Sequence, residues 1–249
     1  DIGSNAGSGG QMVENVDGTI TFDARASSTK LASSEDGFQY YYTEVDPATE
    51  NFTLSATFHV DDAATKDNQS GFGVLAVDTL VPGESAARYF NSAGALITRY
   101  GEGTATVRDG TPGARFVHGY TGAPDDSSAG TRDTSDAAVF DEGWRADATG
   151  PKFATGDVFE LSLRRSNTGF HAIWERDGEV LEVIQYDPEM LLQQDSERFY
   201  VGMAVARKIQ VTVTDWELTT IHPDDDEPAQ EPPTEYVPAT LGVDVTSTT

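Results

Sequence analysis

Residues 36–78 read DGFQYYYTEVDPATENFTLSATFHVDDAATKDNQSGFGVLAVD, and this stretch decides the fold class. Through residues 52–60 apolar and polar side chains alternate without a break, which places one face of a strand in a core and the other in solvent. An aromatic and β-branched run at 37–45 precedes it across the turn at 46–50, and a third apolar run follows at 71–78. Strand, turn and strand in this rhythm predict an antiparallel β-sandwich.

The strand pattern resumes in the second half of the chain. Residues 157–165 alternate, and Asp177-Gly178 separates two strand-like runs, which is a strong signal for a β-hairpin. Two further runs, 199–206 and 209–218, complete the predicted sheets. The loop-rich residues 119–150 differ, and a long loop inside a compact β domain is usually functional or disordered.

Several of these segments resemble a known family. The strings DGFQYYYTEV, ENFTLSATFHVDD and QSGFGVLAVD, together with VGMAVARKIQVTVTDWELTT, are similar to the concanavalin-like β-sandwich modules of secreted pectate lyases and related β-helix enzymes. The resemblance covers about residues 18–238. It implies an all-β antiparallel sandwich of the concanavalin A-like or jelly-roll type. It also implies a secreted or cell-surface location, a polysaccharide or glycan partner, and a neighbouring catalytic domain in the same chain.

Composition excludes several classes of function. The 249 residues hold 16 Lys+Arg against 42 Asp+Glu, a formal net charge of −26, so a nucleic-acid or anionic-membrane partner is not expected. The chain has no cysteine, which excludes disulfides, thiol nucleophiles and thiolate metal sites. Its apolar runs are too short to insert into a bilayer.

Composition also predicts the domain organisation. Residues 1–17 read as a flexible lead and residues 18–220 as the sandwich module. The tract 221–236 is rich in Asp, Glu and Pro and predicts an extended linker. Residues 237–249 are then the start of a following domain or a return strand, and the chain reads as a piece of a larger exported protein.

Catalytic signatures are weak. The acidic strings Asp215-Trp216-Glu217 and 179–182 do not fit the Glu-x-Asp-x-x-Glu strand of glucan hydrolases that have this fold. The four histidines are widely spaced, with none near a plausible Ser–Asp pair: His59, His118, His171 and His222. A non-catalytic module is therefore expected. Two alternatives stay open, a divergent lyase or hydrolase that uses the loop 119–150, and a surface adhesin domain.

Acidic loops make calcium the candidate metal, since Ca²⁺ takes six to eight oxygen ligands. The candidate ligands are Asp61, Asp62, Asp67 and Asp215. The competing interpretation is ordinary solvated charge on loops, so a structural calcium ion is an expectation and its ligand set is open.

Aromatic residues suggest the ligand site. Sugar rings stack their apolar faces on Trp and Tyr while polar side chains bind the hydroxyls. Trp174 and Trp216 lie in alternating strands and are predicted to be core, and Tyr41 should point away from its neighbours Tyr40 and Tyr42. A loop aromatic has no such periodic reason to be buried. The predicted ligand contacts are accordingly Trp144, Tyr120, Phe140, Arg132 and Arg145.

Overall fold

A computed structural model of the protein describes residues 1–3, 5–31, 37–66, 69–80, 91–98, 111–122, 153–176 and 178–234. Within these ranges the regular structure is almost entirely β. The strands are β1 (Ile2–Gly3), β2 (Gln11–Glu14), β3 (Ile20–Asp23), β4 (Gly37–Val45), β5 (Asn51–Asp62), β6 (Gly71–Val77), β7 (Ser92–Thr98), β8 (Thr111–Val117), β9 (Val158–Arg165), β10 (Phe170–Arg176), β11 (Glu179–Gln185), β12 (Phe199–Ala206) and β13 (Gln210–Ile221). A 3-10 turn, Pro223–Asp225, follows β13.

The strands form two antiparallel sheets among the described residues. One has six strands in the order β1-β4-β12-β6-β7-β8, and the other has seven in the order β11-β10-β9-β5-β13-β3-β2. The predicted antiparallel β-sandwich is confirmed. Strands that are distant in sequence lie side by side at the centre of each sheet, because β12 sits between β4 and β6 and β13 sits between β5 and β3.

The main core lies between the sheets and follows the alternation of β5. The five apolar side chains that the pattern placed on one face are all buried: Phe52, Leu54, Ala56, Phe58 and Val60. Phe58 stacks on Phe72 of the other sheet at 5.4 Å between ring centroids. Trp174 is fully buried as predicted, and its indole N–H donates to the carbonyl oxygen of Leu96 across the two sheets at 3.2 Å.

A second apolar cluster covers the outer face of the six-stranded sheet. Because side chains alternate along a strand, Leu75 and Val77 of β6 point away from the main core that receives Phe72 and Val74. The buried members of the outer cluster are Ile2, Leu31, Phe38, Tyr40, Leu75, Val77, Leu96, Ala204 and Ala206.

Trp216 departs from its predicted place in the core. It is 39% exposed, because the register between β13 and β5 shifts between Thr214 and Glu217. Thr214 pairs with Thr57 and Glu217 with Ser55, so Asp215 and Trp216 share the place opposite one residue. Such a bulge re-aims side chains, and a period of two carried through the sequence does not anticipate it.

The segment predicted as a flexible lead contributes strands to both sheets. Ile2 pairs with Phe38 of β4 and is buried in the outer cluster. Farther on, β2 pairs with β3 from Gln11 to Glu14, although all four of its side chains are exposed. An edge strand held by main-chain hydrogen bonds needs no apolar alternation, so composition alone does not reveal it.

The segment predicted as an extended linker lies against the sandwich as far as residue 230. Asp226 receives a hydrogen bond from Arg164 at 2.7 Å and another from Asn51 at 2.8 Å. Asn167 donates to the carbonyl oxygens of Pro223 and Glu227. We call these residues, 164, 51, 167 and 226, the tail clamp. Its contacts are polar and distant in sequence, so the composition of the tract does not predict them.

Across the described residues, no helix combines the length and the apolar character needed to cross a membrane.

Candidate functional site

Strand β4 carries aromatic side chains on both of its faces. Tyr40 and Tyr42 stack on each other at 5.2 Å on the outer face of the six-stranded sheet. Tyr41 turns the other way and meets Trp216 edge to face at 5.8 Å. The predicted division of the three tyrosines is confirmed, and Tyr42 is the exposed member of the outer pair, with 43% of its area in solvent.

Buried neighbours fix the position of Tyr42. The hydroxyl of Tyr40 lies 2.7 Å from the carbonyl oxygens of both Leu75 and Tyr200. Burial raises the pKa of Tyr40 well above its ordinary value, so this hydroxyl remains a donor. The ring of Tyr200 meets Tyr42 edge to face at 5.7 Å. Tyr42 is therefore held at the surface by two rings, one of which is anchored to the main chain.

An open cleft of about 660 Å³ lies next to these rings, where β4 turns toward β5. Glu44 connects the two features, because it follows Tyr42 on the same face of β4 and pairs with Tyr200 in the register. We call this region, with Tyr42 and Tyr200, the β4–β12 cleft. Its lining residues are Glu44, Val45, Asp46, Ala48, Glu50, Ser196, Glu197 and Arg198.

Arg198 brings positive charge into an otherwise acidic lining. Its guanidinium group lies 3.3 Å from a carboxylate oxygen of Asp195, 3.5 Å from one of Glu44 and 3.8 Å from one of Glu197. These carboxylates, Glu44 first, raise the pKa of Arg198 above its ordinary value. Exposed pairs of this kind add little to stability, so their significance lies in the fixed set of donors and acceptors that they present.

Arg165 holds one wall of the cleft in place. Its buried guanidinium donates to the carbonyl oxygens of Pro47 and Glu50, at 2.9 and 3.2 Å, in the turn from β4 to β5. It also donates to Pro188 O at 3.0 Å and lies over the ring of Phe199 at 5.1 Å. Burial lowers the pKa of Arg165. Three chain segments thus meet on one buried cation, which fixes the shape of the turn.

The β4–β12 cleft has the chemistry of a sugar-binding surface. A pyranose ring can cover the exposed part of Tyr42, and its hydroxyls can donate to Glu44 and Glu197 and accept from Arg198. The lining holds four carboxylates against one arginine, so a hydroxyl-rich ligand with little negative charge fits it better than a dense polyanion. The alternation of β4 was the signal that could have located this surface from the sequence.

Tyr120, one of the predicted ligand contacts, is only 4% exposed and packs against Val117. Its backbone N–H donates to Asn91 Oδ1 at 3.0 Å, and its carbonyl oxygen accepts from Asn91 Nδ2 at 2.8 Å. The same Asn91 amide donates to Asp78 at 2.9 Å. Asp78 is fully buried, one of its oxygens has no hydrogen-bond partner, and burial raises its pKa to about 7.

The other predicted ligand contacts, Trp144, Phe140, Arg132 and Arg145, lie outside the described residues, as does the metal candidate Asp67. The remaining metal candidates bind different local partners. Asp61 accepts from Thr212 at 2.6 Å, Asp62 lies 3.6 Å from Arg25, and Asp215 accepts from Thr214 at 3.0 Å. In the part of the chain that the structure describes, no three His, Asp or Glu residues are grouped to hold a metal ion.

The structure does bring a histidine between a serine and a carboxylate, contrary to the expectation from the sequence. Ser166 Oγ lies 2.8 Å from His171 Nε2, and Glu182 Oε1 lies 2.8 Å from His171 Nδ1. The spacing resembles that of a hydrolytic triad. Ser166, however, is 3% exposed and its oxygen accepts from the N–H of Thr168 in the β9–β10 turn. The three side chains connect the β9–β10 turn to β10 and β11, and Ser166 itself is buried.

Comparison with known proteins identifies relatives in sequence. The family model described as the pectate disaccharide-lyase N-terminal domain matches residues 2–89 and 129–223. Pectate lyase L of Thermoclostridium stercorarium is 33% identical over 229 residues, which cover 91% of this chain and 17% of the relative. A pectate disaccharide-lyase of Dickeya chrysanthemi is 26% identical over 221 residues, which cover 81% and 27%. The chain thus spans at most about a quarter of these relatives.

Solved structures extend the likeness at the level of the fold. The winged bean acidic lectin, complexed with methyl-α-D-galactose, aligns with a TM-score of 0.53 at 10% identity, over 86% of this chain and 91% of the lectin. The metal-free form of lectin I-B4 from Griffonia simplicifolia aligns with a TM-score of 0.51 at 10% identity, over 85% and 91%. At this identity the likeness concerns the fold alone, and it confirms the predicted concanavalin-like sandwich.

Proposed function

The chain belongs to the family of pectate disaccharide-lyase N-terminal domains, and from this premise we propose that it is a non-catalytic module that binds glycan for a polysaccharide-degrading enzyme. The parent protein is then secreted or bound at the cell surface, because its polymeric substrate lies outside the cell. The expected partners are a polysaccharide and a catalytic domain in the same chain.

The observation that carries the proposal is the exposed ring of Tyr42, which lies on the same face of β4 as Glu44 of the cleft lining. A tyrosine held by Tyr40 and Tyr200, with Glu44 and Arg198 beside it, provides a stacking surface and hydrogen-bonding groups in one place. Pre-positioned side chains lower the entropy cost of binding. A sugar ring covering Tyr42 also removes exposed aromatic area from water.

Calorimetric titration of the chain with oligosaccharides from plant cell-wall polysaccharides tests this proposal. We expect Tyr42→Ala to weaken binding by about tenfold, since stacking on one aromatic side chain contributes about 1–3 kcal/mol. Tyr186→Ala is the matched control, because this half-buried tyrosine follows β11 on the other sheet. Unchanged affinity in the Tyr42 variant, or no binding of any glycan by the parent chain, contradicts the proposal.

The absence of catalysis is tested separately. The buried position of Ser166 supports a non-catalytic role, and we expect the purified chain to release no unsaturated product or reducing end from polygalacturonate. Steady formation of an unsaturated product identifies the chain as a divergent lyase instead, and steady release of reducing ends without unsaturation identifies it as a divergent glycoside hydrolase.

A second role, bracing the neighbouring domain, is favoured by the tail clamp. The clamp fixes residues 223–227 against the sandwich through Asp226 and Asn167. A chain that leaves the module along this path has a defined direction. Small-angle scattering of the full-length enzyme should show a broader distribution of sizes for Asp226→Ala than for the parent, and identical distributions argue against bracing.

A further inference from the structure

The bulge in β13 places a tryptophan where no core contact requires it. Asp215 has a positive φ of 49°, a conformation that costs a residue with a side chain free energy. The strain accompanies a register shift between Thr214 and Glu217 that leaves Trp216 at 39% exposure. Trp174, on an unbroken strand, is fully buried in contrast. A strained bulge that exposes a large apolar ring is a feature that calls for a functional explanation.

The exposed indole is held in one orientation. Its N–H donates to the carbonyl oxygen of Gly18, in the turn between β2 and β3, at 3.2 Å. Tyr41, from the opposite sheet, meets the ring edge to face at 5.8 Å. Trp216 of β13 and Tyr41 of β4 thus form a contact between the two sheets. This pair lies on the other side of β4 from the β4–β12 cleft, because Tyr41 and Tyr42 point in opposite directions.

The residues that neighbour the pair along the chain are acidic or hydroxyl-bearing. Asp215 and Glu217 flank Trp216 in the chain and are exposed, and Thr43 follows Tyr41 on the same side of β4 and is exposed too. Asp17 is exposed next to Gly18. Carboxylates accept hydrogen bonds from sugar hydroxyls and repel anions. A uronate ring is therefore disfavoured here, whereas an uncharged ring finds both a stacking surface and acceptors.

We propose that Trp216 and Tyr41 form a second sugar-binding platform, selective for an uncharged pyranose ring, at the β13 bulge. The proposal rests on the proposed glycan-binding function and adds a site and a ligand class to it. Aromatic stacking tolerates different ring types because it depends on the apolar face, so the acidic surroundings determine the preference for uncharged rings.

Titration of the chain with uncharged oligosaccharides and, separately, with oligogalacturonate tests the platform. We expect Trp216→Ala to weaken binding of uncharged ligands about tenfold and Trp216→Phe to retain most of it, as expected for stacking. Tyr42→Ala serves as the comparison, because it removes the stacking ring proposed for the β4–β12 cleft and leaves Trp216 in place. Melting temperatures identify any variant that has lost its fold. If Trp216→Ala unfolds, Trp216→Leu takes its place, because it keeps an apolar side chain without an aromatic face and should weaken binding in the same way.

The outcomes separate the two proposals. If Trp216→Ala binds every glycan like the parent while Tyr42→Ala does not, the platform is overturned and the cleft stands. If oligogalacturonate binds at Trp216 more tightly than uncharged ligands do, the assigned ligand class is overturned. If the parent chain binds no glycan but Trp216→Ala weakens association with the rest of the enzyme, the patch is a protein interface and both proposals fail.

Discussion

Asp78 is a carboxyl group without access to solvent. Burial raises its pKa from 3.8 to about 7, although hydrogen bonds from Asn91 and Gln194 act in the opposite direction. The folded state binds the proton of the Asp78 carboxyl group more tightly than the unfolded chain does. The contribution of Asp78 to the free energy of unfolding is therefore complete below pH about 3.8 and is lost as pH rises through about 7. The domain should therefore gain stability from Asp78 on mild acidification.

We expect Asp78→Asn to remove this dependence. The amide oxygen can accept the hydrogen bonds of Asn91 and Gln194 without charge, so the variant should be more stable than the parent at about pH 8, by on the order of a few kcal/mol. Urea denaturation at about pH 8 and about pH 5 measures the difference. If the free energy of unfolding changes equally with pH in the parent and in the variant, a group other than Asp78 causes the pH dependence.

Arg165 illustrates a cost that arises when a buried group loses its partner. Arg165→Ala leaves the carbonyl oxygens of Pro47, Glu50 and Pro188 without their donor, and we expect a loss of about 3 kcal/mol in the free energy of unfolding. Arg25→Ala, at an exposed ion pair, is the control and should change stability by less than about 1 kcal/mol. If both variants lose a similar amount of the free energy of unfolding, the buried hydrogen bonds of Arg165 do not stabilise the turn as proposed.

For single residues, the sequence predicts the face of a strand on which a side chain lies better than it predicts the exposure and contacts of that side chain. The division of Tyr40, Tyr41 and Tyr42 between two faces follows from the strand period and is confirmed. The exposure of Trp216 does not follow from it, because a bulge is decided by pairing with β5. The contacts of Arg198 with three carboxylates likewise depend on which strands become neighbours.

Among the elements, the tail clamp gives the sharpest prediction. Hydrogen bonds from Glu227 N–H, Asn51 and Arg164 lower the pKa of Asp226, although desolvation acts in the opposite direction. The clamp should therefore be complete above pH about 3.8 and be lost as pH falls through the lower folded-state pKa. Acidification therefore weakens the stabilising contribution of Asp226 and strengthens that of Asp78.

Limited proteolysis measures the clamp directly. We expect Asp226→Ala to increase cleavage within residues 222–234 several-fold while the sandwich stays intact, since opening is local. Asp224→Ala is the matched control, because the Asp224 side chain is 90% exposed. Equal cleavage rates in the two variants would mean that Asp226 does not hold the segment.

The elements themselves were largely predictable wherever they bury apolar side chains. Strands β5 and β9, and the antiparallel pair of β10 and β11, follow the alternation and turn signals of the sequence. Strand β2 is missing from the prediction because its exposed residues pair only through the main chain. The path of residues 222–230 depends on side-chain contacts such as that of Gln230 N–H with Thr168.

For the whole molecule, charge is the dominant property. A formal net charge of −26 creates self-repulsion in the compact state, and we expect Ca²⁺ to raise the melting temperature and a chelator to reverse the gain. Mg²⁺ and NaCl at equal ionic strength separate specific binding from screening. If Ca²⁺ raises the melting temperature no more than these controls do, and elemental analysis finds no metal, the protein has no stabilising calcium site.

The order of strands has a consequence for how the protein folds. At the centre of the seven-stranded sheet, β5 pairs with β13, which lies about 150 residues later in the chain. In the other sheet, β4 pairs with β12, and the separation in sequence is similar. Pairing across such loops is slow, with folding times of milliseconds to seconds for comparable β topologies. The six-stranded sheet cannot be completed until the chain has been synthesised through residue 206, and the seven-stranded sheet not until residue 221. For the secretion proposed above, an export machinery that requires an unfolded polypeptide would therefore have a long interval in which to engage the chain.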